Sequence, residues 1–206
     1  VMKKNRSSKS WIIKQHRDPF YKKSKILGYR SRSAFKLLEL HNKFRFIMKN
    51  SKLLDIGSSP GGWSQVASSI IKNGKIVAID KKPMEKINNV IFFKDDFLEE
   101  KLKDKIRKLF QGKIDVIISD MAADTTGSKN LDCIRTNLLC TEVIDFSTKI
   151  LKEKGVLVSK LFMGEEFLEV KKLAKKKFNK IEFYKPKASR SESKEIYMYC
   201  SGLTVL

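Results

Sequence analysis

Two stretches of the chain carry residue types that could do chemistry. The first is Leu53-Leu54-Asp55-Ile56-Gly57-Ser58-Ser59-Pro60-Gly61-Gly62-Trp63-Ser64-Gln65. Its apolar start reads as a buried parallel strand, and its small residues lead into a helix beginning near Gly61. Such a loop lets a ligand approach bare backbone, and the helix N-terminus offers free N–H groups. That is the architecture of a nucleotide-type cofactor site at the carboxyl end of a strand. A dinucleotide fingerprint would read G-x-G-x-x-G, whereas Ser58, Ser59 and Pro60 separate Gly57 from Gly61 and Gly62 here. Pro60 presets φ and removes a donor, which suits a loop around an uncharged nucleoside better than one cradling a pyrophosphate. The second stretch is Gly155–Phe162, an apolar strand that carries Lys160. A lysine there is costly unless a site needs its amine, the bland alternative being a lysine that snorkels from a strand end.

The elements that must position these residues alternate strand and helix. Asp18-Pro19 starts a helix and Gly28 stops it. Ser31 is expected to cap the next helix, which carries Phe35, Lys36, Leu37, Leu38 and Leu40. After the glycine loop and its helix (about 61–72), Asn73-Gly74 turns into a strand over Lys75–Asp80. Asp80 thus ends a strand roughly 20 residues past the loop, where a carboxylate can accept from two ribose hydroxyls. A third strand, Val90–Lys94, leads to Asp95-Asp96, and a helix follows over Leu98–Phe110. Lys113–Asp120 reads as a fourth strand, Leu131–Leu151 as one long helix and Val156–Phe162 as a fifth strand. A basic-faced helix, Glu165–Phe178, precedes the last strands, Lys180–Tyr184 and Ile196–Tyr199, the latter an antiparallel partner.

The string D-x-G-x-x-P-G-G-W-S-Q resembles motif I of S-adenosylmethionine-dependent methyltransferases, and more narrowly that of the FtsJ/RrmJ family of RNA 2′-O-methyltransferases. Three other strings are similar to that family: Gly28–Leu37 (x-R-S-R-x-x-F/Y-K-L), Ser119-Asp120-Met121-Ala122 (S-D-M-A) and Ser189–Tyr197 (S-R-x-x-S-x-E-x-Y). Ala123-Asp124 stands where the family often has Pro-Asn, a departure that bears on the acceptor nucleotide more than on the chemistry. The resemblance covers almost the whole chain. It implies a Rossmann-like α/β methyltransferase fold: a mostly parallel seven-stranded sheet with one antiparallel strand and helices on both faces. It implies a catalytic tetrad of Lys36, Asp120, Lys160 and Glu195. S-adenosylmethionine would be held by Asp55, Gly57, Pro60, Gly61, Gly62, Trp63, Asp80, Asp96 and Asp120, with Asp96 on the adenine amino group and Asp95 its rival. Arg30, Arg32, Lys36 and Arg190 would meet RNA. A ribose hydroxyl is a poor nucleophile, so positioning and proton removal are what an enzyme must add. Lys160 is the candidate base, with electrostatic steering as the other role open to it.

Composition bounds the partners. Lys+Arg 44 against Asp+Glu 23 leaves a net charge of +21, an excess that suits phosphate and so ribosomal RNA or a ribosomal subunit. Residues 1–10 read as a basic arm and 11–45 as a helical RNA-binding extension of a single domain spanning 1–206, whose aromatics among cations suit RNA bases and phosphates. Cys133, Cys140 and Cys200 form no C-x-x-C pair, so a reducing intracellular compartment without structural zinc is expected, with cytoplasm, nucleolus and mitochondrion all open. No apolar run reaches membrane-spanning length, and a monomer is expected. Within the family, tRNA anticodon-loop methylation is the runner-up to uridine in large-subunit ribosomal RNA. A catalytically idle ribosome-assembly factor and a nucleotide-dependent oxidoreductase are the rival classes. The intact tetrad strings disfavour the first, and the absent dinucleotide fingerprint disfavours the second.

Overall fold

The structure is a computed structural model, and it describes residues 17–204. The expected basic arm and the first residues of the extension, Trp11–Ile13 among them, lie outside the described residues. Helix α1 spans Pro19–Ile26 and α2 spans Ala34–Phe44. Strand β1 (Lys52–Ile56), α3 (Gly62–Ile70), β2 (Lys75–Asp80), β3 (Val90–Lys94), α4 (Glu100–Phe110) and β4 (Ile114–Ser119) follow. Helix α5 (Lys129–Ile150), β5 (Leu151–Phe162), α6 (Phe167–Lys177), β6 (Phe178–Tyr184) and β7 (Glu195–Leu203) complete the chain. The seven strands are ordered β3-β2-β1-β4-β5-β7-β6. All are parallel except β7, which pairs antiparallel with both β5 and β6. This is the fold that the resemblance implied.

Both faces of the sheet are covered, which is why its central strands read as continuous apolar runs. One face buries Leu54, Ile56, Val77, Ile117, Leu157 and Leu161 with residues of α4, α5 and α6. The other buries Leu53, Ile76, Val116, Ile118, Val156, Val158, Tyr197 and Tyr199 with α2 and α3. Successive strand residues alternate between these faces. Lys160 therefore continues the Val156–Val158 stripe toward α2, and Asp55 lies on that side as well, bonded to Ser64 of α3. The far end of β5 is pinned by Asn137 of α5, whose Oδ1 accepts from Phe162 N at 2.8 Å and whose Nδ2 donates to Phe162 O at 3.0 Å.

The N-terminal cap of α1 is as expected: Asp18 Oδ1 accepts from Phe20 N at 2.9 Å and Tyr21 N at 3.2 Å, with Pro19 in the first turn. The expected cap of α2 is not. The helix starts at Ala34, Ser33 occupies the cap position, and neither serine caps it with a side-chain bond. Ser31 is displaced because its hydroxyl packs on Gly62, so closely that a Cβ there would stand 2.3 Å from Ser31 Oγ. Strand β5 also begins earlier than expected. Leu151 pairs with Ile114 before the register shifts, and pairing resumes at Val156–Val116. The hydrophilic run Lys152-Glu153-Lys154 occupies that irregularity, which hid the strand's start behind a break in the apolar pattern.

Candidate active site

The parallel strands β1, β2, β4 and β5 all end at one edge of the sheet, and the antiparallel β7 begins there. Cross-strand pairs fix the alignment: Ile56 with Ser119, Ser119 with Ser159, Lys160 with Tyr197, and Phe162 with Glu195. Gly57, Asp80, Asp120, Lys160 and Glu195 are thus delivered to this edge by backbone topology alone. Lys36 arrives from the first turn of α2.

These residues form two ion pairs bridged by a tyrosine. Lys160 Nζ donates to the Asp120 backbone oxygen at 2.6 Å and lies 3.1 Å from Asp120 Oδ1. Lys36 Nζ lies 2.7 Å from Glu195 Oε1 and 5.7 Å from the centroid of the Tyr197 ring. Tyr197 donates its hydroxyl to Asp120 Oδ1 at 2.6 Å, and Ser33 donates to Asp120 Oδ2 at 2.5 Å. Burial would raise the Asp120 carboxyl. The ammonium groups of Lys160 and Lys36 and the two hydroxyl donors outweigh it and hold the group well below the usual carboxylate range. Burial, then the charges of Asp120 and Glu195, push the Tyr197 hydroxyl far up, so it stays a donor. The tetrad residues are brought together, with Lys160 8% and Glu195 9% exposed.

The glycine loop closes against the same cluster. Gly57 has φ +77°, and a Cβ there would stand 2.6 Å from Met121 Cγ and 2.9 Å from Met121 Cα, so the loops after β1 and β4 touch backbone to backbone. Gly57 N and Ser58 N both donate to Ile79 O, at 2.9 and 3.0 Å, which ties the loop to β2. Asp80 follows at the end of β2, where Oδ2 accepts from Ser59 N and Oδ1 from Lys82 N, each at 2.8 Å. One bond per oxygen leaves acceptor capacity for a ligand diol. Asp96 accepts from Leu98 N at 3.0 Å and pairs with Lys81 at 2.7 Å, whereas the rival Asp95 caps Asp96 N at 2.9 Å.

Asp55 and Trp63 sit behind the loop rather than on its open side. Asp55 is fully buried; its Oδ2 accepts from Ser64 Oγ at 2.6 Å, while Oδ1 is buried with no partner among the described residues. Burial, only partly offset by Ser64 and reinforced by Asp120 and Asp80, pushes its carboxyl up to about 7. Trp63 is 2% exposed and donates Nε1 to Ser33 O at 2.9 Å.

Three of the four expected RNA-binding residues share a cleft. Arg32, Lys36 and Arg190 line a depression of about 380 Å³ beside the tetrad, with Glu192, Ser193 and Glu195. Arg32 is steadied by Asp18 and the Ala188 carbonyl. Arg30 is elsewhere: its guanidinium donates to the carbonyls of Glu85 at 2.7 Å, Lys86 at 2.9 Å and Pro60 at 3.3 Å, bracing the glycine loop.

A profile of the family described as FtsJ-like methyltransferase matches residues 29–203. The chain belongs to this family. Ribosomal RNA large subunit methyltransferase E of Pelagibacter ubique is 47% identical over 98% of this chain and 100% of that protein. The protein of the same name from Rickettsia felis is 44% identical, over 95% of this chain and 89% of its own length. Among solved structures, a provisionally assigned ribosomal RNA methyltransferase from Plasmodium falciparum superimposes with a TM-score of 0.77 at 34% identity, covering 85% of this chain and 98% of that one.

Two residues that the sequence did not mark out for this FtsJ-like chain, Ser33 and Tyr197, both donate to Asp120. Tyr197 carried a signal, since it lies two residues past Glu195 on the same strand face. Ser33 carried none beyond its place three residues before Lys36. Among the described residues, no group of three or more His, Cys, Asp or Glu could hold a metal ion, no helix is long and apolar enough to cross a membrane, and the three cysteines are free and buried.

Proposed function

We propose that this chain transfers a methyl group from S-adenosylmethionine to a ribose 2′-hydroxyl of RNA, the acceptor being a uridine of large-subunit ribosomal RNA. The observation that carries the reading is the convergence of Lys160–Asp120 and Lys36–Glu195 beside both the glycine loop and a cationic cleft.

The residues fit the cofactor. Asp80 retains acceptor capacity on both oxygens for a ribose diol, the loop presents the half-buried Gly57 and the exposed Pro60, and Asp96, paired here with Lys81, is the acceptor this reading assigns to the adenine amino group. When bound, S-adenosylmethionine supplies an electrophilic methyl on a sulfonium. The chain's task is then to orient the acceptor and remove its proton. Once the Lys160 ammonium has released a proton to solvent, the neutral amine can direct its two N–H bonds at Asp120 and turn its lone pair to a third direction, where the 2′-hydroxyl proton is taken up. Asp120 aims that amine, Tyr197 and Ser33 hold Asp120, and Glu195 holds Lys36 at the cleft. Arg32 and Arg190 supply charge for the flanking phosphates. The names of the Pelagibacter and Rickettsia relatives support ribosomal RNA as the substrate class. The three buried thiols suit a reducing compartment.

The test is transfer of a labelled methyl from S-adenosylmethionine to large-subunit RNA, followed by digestion to nucleosides. Label in 2′-O-methyluridine is expected. Label on a base, or none on any RNA, would overturn the reading.

A further inference from the structure

Asp120 is held by more than its ion pair. Its Oδ1 accepts from Tyr197 and faces Lys160, while Ser33 is the one donor found on Oδ2 among the described residues. The terminal torsion of an aspartate is soft and broadly populated, so a carboxylate bonded through one oxygen alone can swing. Ser33 removes that freedom. It does so at a cost to its own helix, because a serine at the cap position would ordinarily accept from the N–H groups of the first turn, and this one caps none of them.

The same residue joins the tetrad to the cofactor loop. Its carbonyl accepts from Trp63 Nε1 at 2.9 Å, on the helix that opens with Gly62, and from Lys36 N at 2.9 Å. Ser33 therefore touches the loop helix, the Lys36 turn and Asp120 at once. Among the described residues only the Asp120 bond runs through the Ser33 side chain, so a substitution there leaves the two carbonyl bonds in place.

We propose that Ser33 is a positioning residue for methyl transfer: its hydroxyl locks the Asp120 carboxylate and thereby sets the direction in which Lys160 Nζ points. This rests on the ribose-methylation reading. Charged and titratable groups press on Asp120 from several elements, namely Lys36 from α2, Lys160 from β5, Tyr197 from β7 and Asp55 from β1, while Glu195 of β7 acts on Tyr197. Those from β5 and β7 act through Oδ1 or at longer range, which leaves Oδ2 to Ser33.

The experiment compares wild type, Ser33→Ala and Ser33→Thr in steady-state methyl transfer to large-subunit RNA, with S-adenosylmethionine affinity measured by calorimetry and melting temperature alongside. Loss of a hydrogen bond to a charged group corresponds to a kcat about 10- to 100-fold lower for Ser33→Ala. KM for RNA and cofactor affinity should stay at wild-type values, since the backbone bonds to Trp63 and Lys36 survive. Ser33→Thr, which restores a hydroxyl, should recover most of the rate. Unchanged kcat in Ser33→Ala would overturn the role, as would equal losses in the alanine and threonine variants, or a loss confined to KM. A wild-type protein that binds the cofactor and methylates no RNA would instead overturn the functional reading, and this role with it.

Discussion

Lys36 Nζ and Glu195 Oε1 stand 2.7 Å apart, joining the helix that precedes the sheet to the first residue of its one antiparallel strand. The two side chains are 12% and 11% exposed, so the pair is largely withdrawn from water. Removing one partner strands a charge, whereas removing both does not. Lys36→Met alone should lower unfolding free energy by about 3 kcal/mol. The double variant Lys36→Met/Glu195→Leu should regain most of that stability while remaining inactive in methyl transfer. Urea denaturation with parallel activity assays checks this; a double variant that regained activity would confine the pair to a structural role.

Asp80 accepts from the backbone of the glycine loop and retains capacity for a ligand. Asp80→Ala should weaken S-adenosylmethionine binding by roughly 1–3 kcal/mol, the cost of leaving buried hydroxyls unpaired. Calorimetry giving wild-type affinity would remove Asp80 from the cofactor site.

Asp55 predicts a pH signature. Its carboxyl is raised from an ordinary 3.8 to about 7 in the fold, so the folded state binds the proton more tightly than the unfolded chain. The resulting penalty is absent below pH about 4, grows as pH rises through the interval to about 7, and is constant above. Asp55→Asn removes the ionisation while keeping the shape. The variant's stability relative to wild type should therefore climb between pH 4 and 7, by a few kcal/mol on this order-of-magnitude reasoning. Parallel denaturation curves at pH 4, 5.5 and 7.5 would expose a pH-independent difference, which would mean that Asp55 is ionised in the fold.

The glycine loop, the acid at the next strand end and the lysine in an apolar strand were legible as local residue types, whereas Lys36 and Glu195 stood out only through the resemblance of their flanking strings. Topology then did what no local string shows, since only an antiparallel β7 brings Glu195 to the edge where β4 and β5 end. What stayed hidden was directional. Arg30 reads as one more cation beside Arg32, yet its guanidinium turns to three carbonyls around the glycine loop. Ser31 reads as a cap until Gly62 packs against it, and Ser33 becomes visible only when Asp120 arrives from 87 residues away. The start of β5 was masked because Lys152–Lys154 interrupt the apolar run that marks a strand.

Lys160 carries the central claim, and Lys160→Arg beside Lys160→Ala tests it most directly. The amine stands 2.6 Å from one oxygen of Asp120 and 3.1 Å from another, at the edge where the acceptor hydroxyl must lie. A guanidinium keeps the positive charge and can steer, but it cannot take up a proton in a protein. Single-turnover methyl transfer on saturating RNA should fall about 10²–10⁴-fold in both variants, the range for loss of a general base, with S-adenosylmethionine affinity intact. Turnover near wild type in Lys160→Arg would contradict the account and leave Lys160 a purely electrostatic role.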